Sequence, residues 1–191
     1  KAYPHLCAHL DIPLQSGDDT ILRQMKRTYN ASFYRSLIGR VIDAVPDIAI
    51  GIDVMTGFPG ETETEFQNTF SLLEDLPAAY LHVFPYSERP QTAAAGITPK
   101  VSEKVKKERA AILRALSVQK RETFSRRFLG KILPVLVELS RDKRTGLPKG
   151  FSHNYLPVVL DKRTASLVNT IQDVKIDRYL DGKLTGRPLH E

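Results

Sequence analysis

One run of eight residues constrains the fold of this chain more than any other. In Ile48-Ala49-Ile50-Gly51-Ile52-Asp53-Val54-Met55 a branched apolar residue alternates with a small or polar one. Successive side chains of a strand point to opposite faces, so the run predicts a β-strand over 48–55 with two unlike sides. Ile48, Ile50, Ile52 and Val54 suit packing against helices. Ala49, Gly51, Asp53 and Met55 suit a face that holds a ligand. The flanking runs repeat the pattern. A strand over 9–15 places Leu10, Ile12 and Leu14 outward and His9, Asp11, Pro13 and Gln15 inward. A strand over 80–86 places Leu81 and Val83 outward and His82, Phe84 and Tyr86 inward.

Helical patterns separate these strands. Asp18 or Asp19 serves as N-cap for a first helix with Ile21, Leu22 and Met25 on one face. A second helix starts near Ser32 and carries Phe33, Leu37, Ile38, Val41, Ile42 and Val45 at helical spacing, with Pro46 helping to end it. Thr62 and Glu65 form a capping box for a third, lined by Phe66, Phe70, Leu73 and Leu76. Strands alternating with helices predict a parallel α/β sheet. In barrels of this kind chemistry sits at the C-terminal strand ends, here Gln15-Ser16-Gly17, the 53–60 segment and Tyr86-Ser87. Gly57-Phe58-Pro59-Gly60-Glu61 follows directly on the second strand. Its glycines let backbone approach a ligand, and Pro59 fixes the turn. The same motif also fits an ordinary strand-to-helix turn.

A long basic helix over 102–128 follows, with Val105, Ile112, Leu113, Leu116 and Phe124 as its apolar stripe. After Gly130 the character changes to short β-type runs over 132–139, 155–160, 173–179 and 183–185. Turns at Thr145-Gly146 and Asp181-Gly182 separate them. Five or so short strands in so few residues suggest a small barrel.

Charge follows this division. Residues 1–99 hold 7 Lys and Arg against 12 Asp and Glu, residues 100–131 hold 11 against 3, and residues 132–191 hold 10 against 7. A net +8 on the middle segment makes a field that attracts polyanions. Lys104, Lys106 and Lys107 on the helix, and Arg141, Lys143, Arg144 and Lys149 between barrel strands, are the candidate RNA contacts. Phe151 or Tyr155 is placed to stack on a base. The single cysteine, Cys7, excludes an internal disulfide framework and any metal or iron–sulfur site built from cysteines alone. It also fits a cytoplasmic location. The opening Lys1-Ala2-Tyr3-Pro4 has no Met and no signal-peptide pattern, and reads as a cut through a longer protein.

The runs HLDIPLQSGDDTILRQMKR, GIDVMTGFPGETETEF and LHVFPYSERPQTAA, in this order, resemble the successive strand-end motifs of radical S-adenosylmethionine (SAM) methylthiotransferases. LGKILPVLVEL, GFSHNYLPVVL and YLDGKLTGRP resemble the RNA-binding TRAM domain that ends those proteins. HVFPYS is most similar to the branch that modifies threonylcarbamoyladenosine beside the tRNA anticodon. The resemblance covers essentially the whole chain. It implies an α/β fold, the C-terminal half of a radical SAM partial barrel over 1–128, followed by an all-β TRAM barrel over 129–191.

The resemblance further implies roles. Asp53 would accept hydrogen bonds from the SAM ribose, with Gln15 and Ser16 near the ribose or methionyl part. Gly57, Phe58, Pro59, Gly60 and Glu61, with Phe84 and Tyr86, would shape the adenine pocket. Apart from the resemblance, histidines such as His9 and His82 on an inner strand face are more often packed barrel residues than catalysts. The family reaction uses SAM and two 4Fe-4S clusters to place a methylthio group on adenine C2. Neither of the family's cysteine sets is present here, and Cys7 lies in the wrong context to replace them. This chain alone is therefore expected to lack the activity and to depend on N-terminal cluster domains. Gln91 departs from a glycine common in relatives. Three other readings stay open: a methylthiotransferase acting on a ribosomal protein, a stand-alone RNA-binding module, and an ordinary barrel enzyme without SAM.

Overall fold

A computed structural model describes residues 7–161 and 168–189. Lys1 to Pro4 lie outside the described residues. The order of elements is β1 (His9–Gln15), α1 (Asp19–Gln24), α2 (Ala31–Ala44), β2 (Ala49–Thr56), α3 (Glu63–Asp75), β3 (Tyr80–Pro85), a short 3-10 helix (Ala93–Gly96) and α4 (Glu103–Arg126). Five strands follow: β4 (Ile132–Arg141), β5 (Pro148–Ser152), β6 (Pro157–Leu160), β7 (Ile171–Leu180) and β8 (Lys183–Pro188). Two compact units result. One consists of Leu10–Pro46 and Ile50–Lys120. The other is built from Arg121 onward, with Asp47–Ala49 and the described residues up to His9, so the division falls within α4.

In the first unit the sheet order is β1-β2-β3, with β2 and β3 parallel and Asp53 level with His82. The alternation read from sequence shows in burial over the second half of β2: Ile50, Ile52 and Val54 have no exposed surface and Asp53 and Met55 are half-buried, whereas Ala49 and Gly51, expected on the open face, are buried as well. Ile38 of α2, Leu73 of α3 and Leu113 of α4 complete the core. Asp18 caps α1 by accepting from the amides of Thr20 and Ile21. Thr62 and Glu65 form the capping box of α3. At the other end of α3, Lys120 donates to the carbonyls of Glu74 and Leu76, which satisfies acceptors that the helix leaves open. Burial lowers the pKa of this lysine.

The helix stripes depart from expectation in places. On α2, Tyr34 is buried and Phe33 is exposed, because Tyr34 reaches β1 and donates to the carbonyl of Ile12 at 2.6 Å. On α4, Ile112 is exposed, whereas Lys106, Arg109 and Ala110 join Leu113, Leu116 and Phe124 in the buried stripe.

The second unit is a closed barrel of order β4-β5-β6-β8-β7. Leu133, Val135, Val137, Val158, Leu160, Val174, Ile176 and Leu184 fill it, while Ile132 and Leu136 of β4 face out. Asp181 and Gly182 both take positive φ, 49° and 76°, and connect β7 to β8 as a two-residue hairpin turn of the kind their sequence predicts.

Candidate functional site

The inner face of the β1-β2-β3 sheet carries the candidate site. Gly51 leaves room there for two larger groups. The Tyr80 hydroxyl donates to Asp11 Oδ1 at 2.9 Å, and His82 Nε2 lies 3.6 Å from the same oxygen. Tyr80, His82 and Phe84 line β3 in sequence, with ring centroids 5.0 and 6.4 Å apart. His82 and Asp11 are each about half exposed, and so is Phe84. Asp53 stands on this face two residues beyond Gly51. A half-buried carboxylate among aromatic groups accepts hydrogen bonds from a diol or an amine without a competing ion pair, since Asp53 has none among the described residues.

At the C-terminal strand ends the groups divide into partly open and internally engaged. Gln15 ends β1 with φ of 70°, an uncommon conformation for a non-glycine residue, and is half-buried. Ser16 is fully buried. Its hydroxyl lies 3.2 Å from Thr69 Oγ1 and accepts from the Asp18 amide, so it ties β1 to α3 and faces no opening. Phe58 meets Tyr86 edge-on at 5.5 Å, in an apolar cluster with Ile21 and the partly buried Met25, Met55, Ala94 and Ile97. The Tyr86 hydroxyl is buried without a partner among the described residues. Beside it a hollow of about 540 Å³ is lined by Tyr86, Ser87, Lys100, Ser102 and Lys106.

The loop from Gly57 to Glu61 is itself tightly bonded. Gly57 and Gly60 have φ of 73° and 84°, and Pro59 is buried between them. The Gly57 amide donates to Glu61 Oε1 at 2.8 Å, Gly60 donates to the Pro99 carbonyl, and the Glu61 amide donates to Phe58 O. Phe58 N–H has no partner among the described residues. The Glu61 side chain is 1% exposed and accepts from Arg109 Nη1 at 2.7 Å. Burial pushes its carboxyl pKa upward, against the pull of the Gly57 amide and the Arg109 guanidinium.

The cations expected to meet RNA are not alike. Lys104 is 85% exposed, 4.0 Å from Glu108, and Lys107 is exposed. Lys106 departs from the expectation. Its side chain is 9% exposed, bonded to Glu103 and laid over the Tyr86 ring at 5.3 Å, so it belongs to the interior and not to a solvated face. In the barrel, Arg141 donates to Gly146 O, Arg144 pairs with Asp181, and Lys149 lies 3.5 Å from Glu138. Lys143 is exposed and forms no ion pair among the described residues. Their turn is held by buried Asp142. The Lys183 ammonium and the Thr145 amide and hydroxyl that donate to it hold its carboxyl well below the usual carboxylate range. Tyr155, at φ of 62°, is 54% exposed. It stacks with Phe151 at 4.7 Å and with His9 at 4.7 Å, so its ring is engaged by two neighbours.

Sequence reasoning missed Arg109. The signal was present: stepping back from Phe124, Leu116 and Leu113 by three or four residues lands on Arg109 and then Lys106.

The residues fit one of the implied groups and not the other. A free carboxylate, the Gln15 side chain, an unpaired Phe58 amide and an apolar cluster suit a nucleoside-bearing cofactor such as SAM. No group of three or more His, Cys, Asp or Glu among the described residues is placed to hold a metal, and the one cysteine cannot ligate a cluster by itself.

Comparison with known proteins gives relatives along most of the chain. Threonylcarbamoyladenosine tRNA methylthiotransferase MtaB of Bacillus subtilis is 37% identical over 170 residues, covering 88% of this chain and 38% of the relative. The Aquifex aeolicus protein of the same name is 41% identical over 132 residues, covering 69% of this chain and 32% of the relative. The tRNA-2-methylthio-N(6)-dimethylallyladenosine synthase of Stutzerimonas stutzeri is 38% identical over 183 residues, covering 96% and 42%. The chain thus spans about two-fifths or less of the curated relatives it matches. Among solved structures, Escherichia coli coproporphyrinogen III oxidase (HemN), described as a radical SAM enzyme, shares the fold with a TM-score of 0.52 at 16% identity. That match covers 96% of this chain and 46% of the other. No family model matches.

Proposed function

Because the chain is homologous over most of its length to tRNA methylthiotransferases of the radical SAM family, we propose that it forms part of an enzyme adding a methylthio group to C2 of a modified adenosine beside the tRNA anticodon. Threonylcarbamoyladenosine is the proposed nucleoside, since two of the relatives bear that name. The observation that carries the reading is identity of 37–38% across 88–96% of the chain, with the aligned stretch including the strand ends where Asp53 stands.

In this reading residues 1–128 supply the C-terminal half of the SAM-binding barrel, and residues 129–191 are a TRAM module that holds tRNA. The 4Fe-4S clusters are held by parts of the protein outside this chain, and the enzyme works in the cytoplasm. SAM, when bound, supplies the methyl group and the carbon-centred radical that such reactions need. This chain's residues bind and orient it. Asp53 accepts from the ribose hydroxyls, and Gln15 approaches the ribose or methionyl part. Phe58, Phe84 and Tyr86 flank the adenine along the 57–60 loop. Ser16 and Glu61 act by fixing the loops that carry these groups. Lys104, Lys107, Arg141, Lys143, Arg144 and Lys149 contact phosphates. Such contacts position RNA but read little sequence, so nucleoside choice lies with the sheet's inner face.

The test is SAM titration of the intact, cluster-loaded enzyme. Asp53→Ala weakens SAM binding at least tenfold, the order expected for removing one charge-assisted hydrogen bond worth about 1.5–3 kcal/mol, and leaves tRNA affinity unchanged. An unchanged SAM dissociation constant counts against the ribose role.

A further inference from the structure

We propose that Arg109 is a positioning residue for SAM, acting through Glu61 on the 57–60 loop. The inference rests on the assignment of that loop to SAM. Arg109 stands about two helical turns into α4, 48 residues from Glu61 in sequence. Its Nη1 donates both to the Glu61 carbonyl at 3.1 Å and to Glu61 Oε1 at 2.7 Å. Nη2 donates to Glu63 Oε2 at 3.2 Å, at the start of α3, and the guanidinium lies 5.1 Å from the Phe66 ring centroid. The same Glu61 oxygen accepts the Gly57 amide at 2.8 Å. One carboxylate therefore joins both ends of the loop to α4.

Stability alone does not explain this pair. Arg109 and Glu61 side chains are 7% and 1% exposed, and burying both charges costs solvation that a pair of apolar residues would not incur. Arg109 Nε is in addition buried without a partner among the described residues. What the arrangement supplies is geometry. Gly57 and Gly60 both sit at positive φ, where glycine moves freely, and the Arg109 fork removes that freedom at each end. Lys106, one turn earlier, adds a steric stop. A Cβ on Gly57 would lie 2.3 Å from Lys106 Cγ. The Gly57, Gly60 and Glu61 amides are used within the protein and Pro59 has none, so Phe58 N–H is left for a ligand. A loop held in its bound shape before binding costs less to order when the ligand arrives.

The experiment uses the intact protein with its clusters loaded, measuring SAM binding by calorimetry, tRNA binding by filter retention and folding by thermal melting. Arg109→Lys keeps the charge beside Glu61 but cannot bond its carbonyl and carboxylate as a fork. It folds, binds tRNA as wild type does, and raises the SAM dissociation constant about tenfold. Arg109→Met strands the Glu61 charge and lowers the yield of folded protein. Adding Glu61→Gln restores folding without restoring SAM affinity. Wild-type SAM affinity in folded Arg109→Lys overturns the proposal while leaving the SAM assignment intact. Absence of SAM binding by the wild-type protein overturns that assignment, and the proposal with it.

Discussion

Two glycine-to-alanine substitutions in one unit are expected to move stability in opposite directions. A Cβ on Gly51 would lie 2.0 Å from Asp11 Oδ1 and 2.6 Å from the Tyr80 ring, against an ordinary contact of 3.4 Å or more. Neither group withdraws easily, because Tyr80 and Asp11 are bonded to each other at 2.9 Å. Overpacking costs about 1–3 kcal/mol and the disturbed hydrogen bond about 1 kcal/mol, so Gly51→Ala destabilises by roughly 2–4 kcal/mol. Gly39 lies inside α2, and a Cβ there meets nothing within 4 Å. Gly39→Ala therefore gains about 0.5–1 kcal/mol from reduced freedom of the unfolded chain. Urea unfolding followed by far-ultraviolet circular dichroism measures both. At a slope of about 2 kcal/mol/M the Gly51→Ala midpoint falls by roughly 1–2 M, and the Gly39→Ala midpoint rises by roughly 0.3–0.5 M. Both residues belong to the same compact unit, so one transition reports on both. A Gly51→Ala midpoint at or above wild type would refute the inner-face packing and the strand parity behind it.

Thr62→Ala removes the hydroxyl of the α3 capping box and costs about 1 kcal/mol, read as a lower urea midpoint at unchanged slope. Asp142 has a depressed carboxyl pKa in the folded barrel, so its contribution is fully present above the ordinary carboxylate value and is lost as pH falls below it. Asp142→Asn is less stable at pH 7, and its acid-unfolding profile is flatter than wild type; an unchanged profile rules out this linkage. Replacing Arg141, Lys143 and Arg144 together with Ala weakens binding of many tRNAs alike and leaves SAM binding untouched. Arg144 gives up its exposed pair with Asp181 to meet a phosphate, so its contact counts for less; about two to three phosphate contacts are lost, and the slope of log affinity against log salt flattens by roughly 2. Wild-type affinity and slope would move the RNA surface to Lys104 and Lys107.

Much of this fold is written in short stretches of the chain. The alternation of β2 depends only on side chains two apart pointing the same way, and it separated Asp53 from Ile52 and Val54 without any knowledge of neighbours. Asp18, Thr62 with Glu65, and Asp181-Gly182 encode a helix start, a capping box and a hairpin, because each satisfies backbone groups within a few residues of itself. The strand-end motifs carried the resemblance to methylthiotransferases for the same reason: they are contiguous.

Tertiary structure decided the rest. Composition made α4 a basic helix with an apolar stripe, but which of its cations turn inward depends on partners far along the chain. Arg109 is buried because a carboxylate 48 residues away meets it, and Lys106 because Gly57 and Tyr86 leave a place for its stem. Ser16, a candidate ligand by position, is engaged by Thr69, and Tyr155, a candidate stacking surface, is flanked by Phe151 and His9. Closure of the barrel through the parallel pairing of β6 with β8 is likewise a long-range event. Local periodicity tells which residues share a face; only the packed chain tells which polar groups on that face are already satisfied, and so which remain for a ligand.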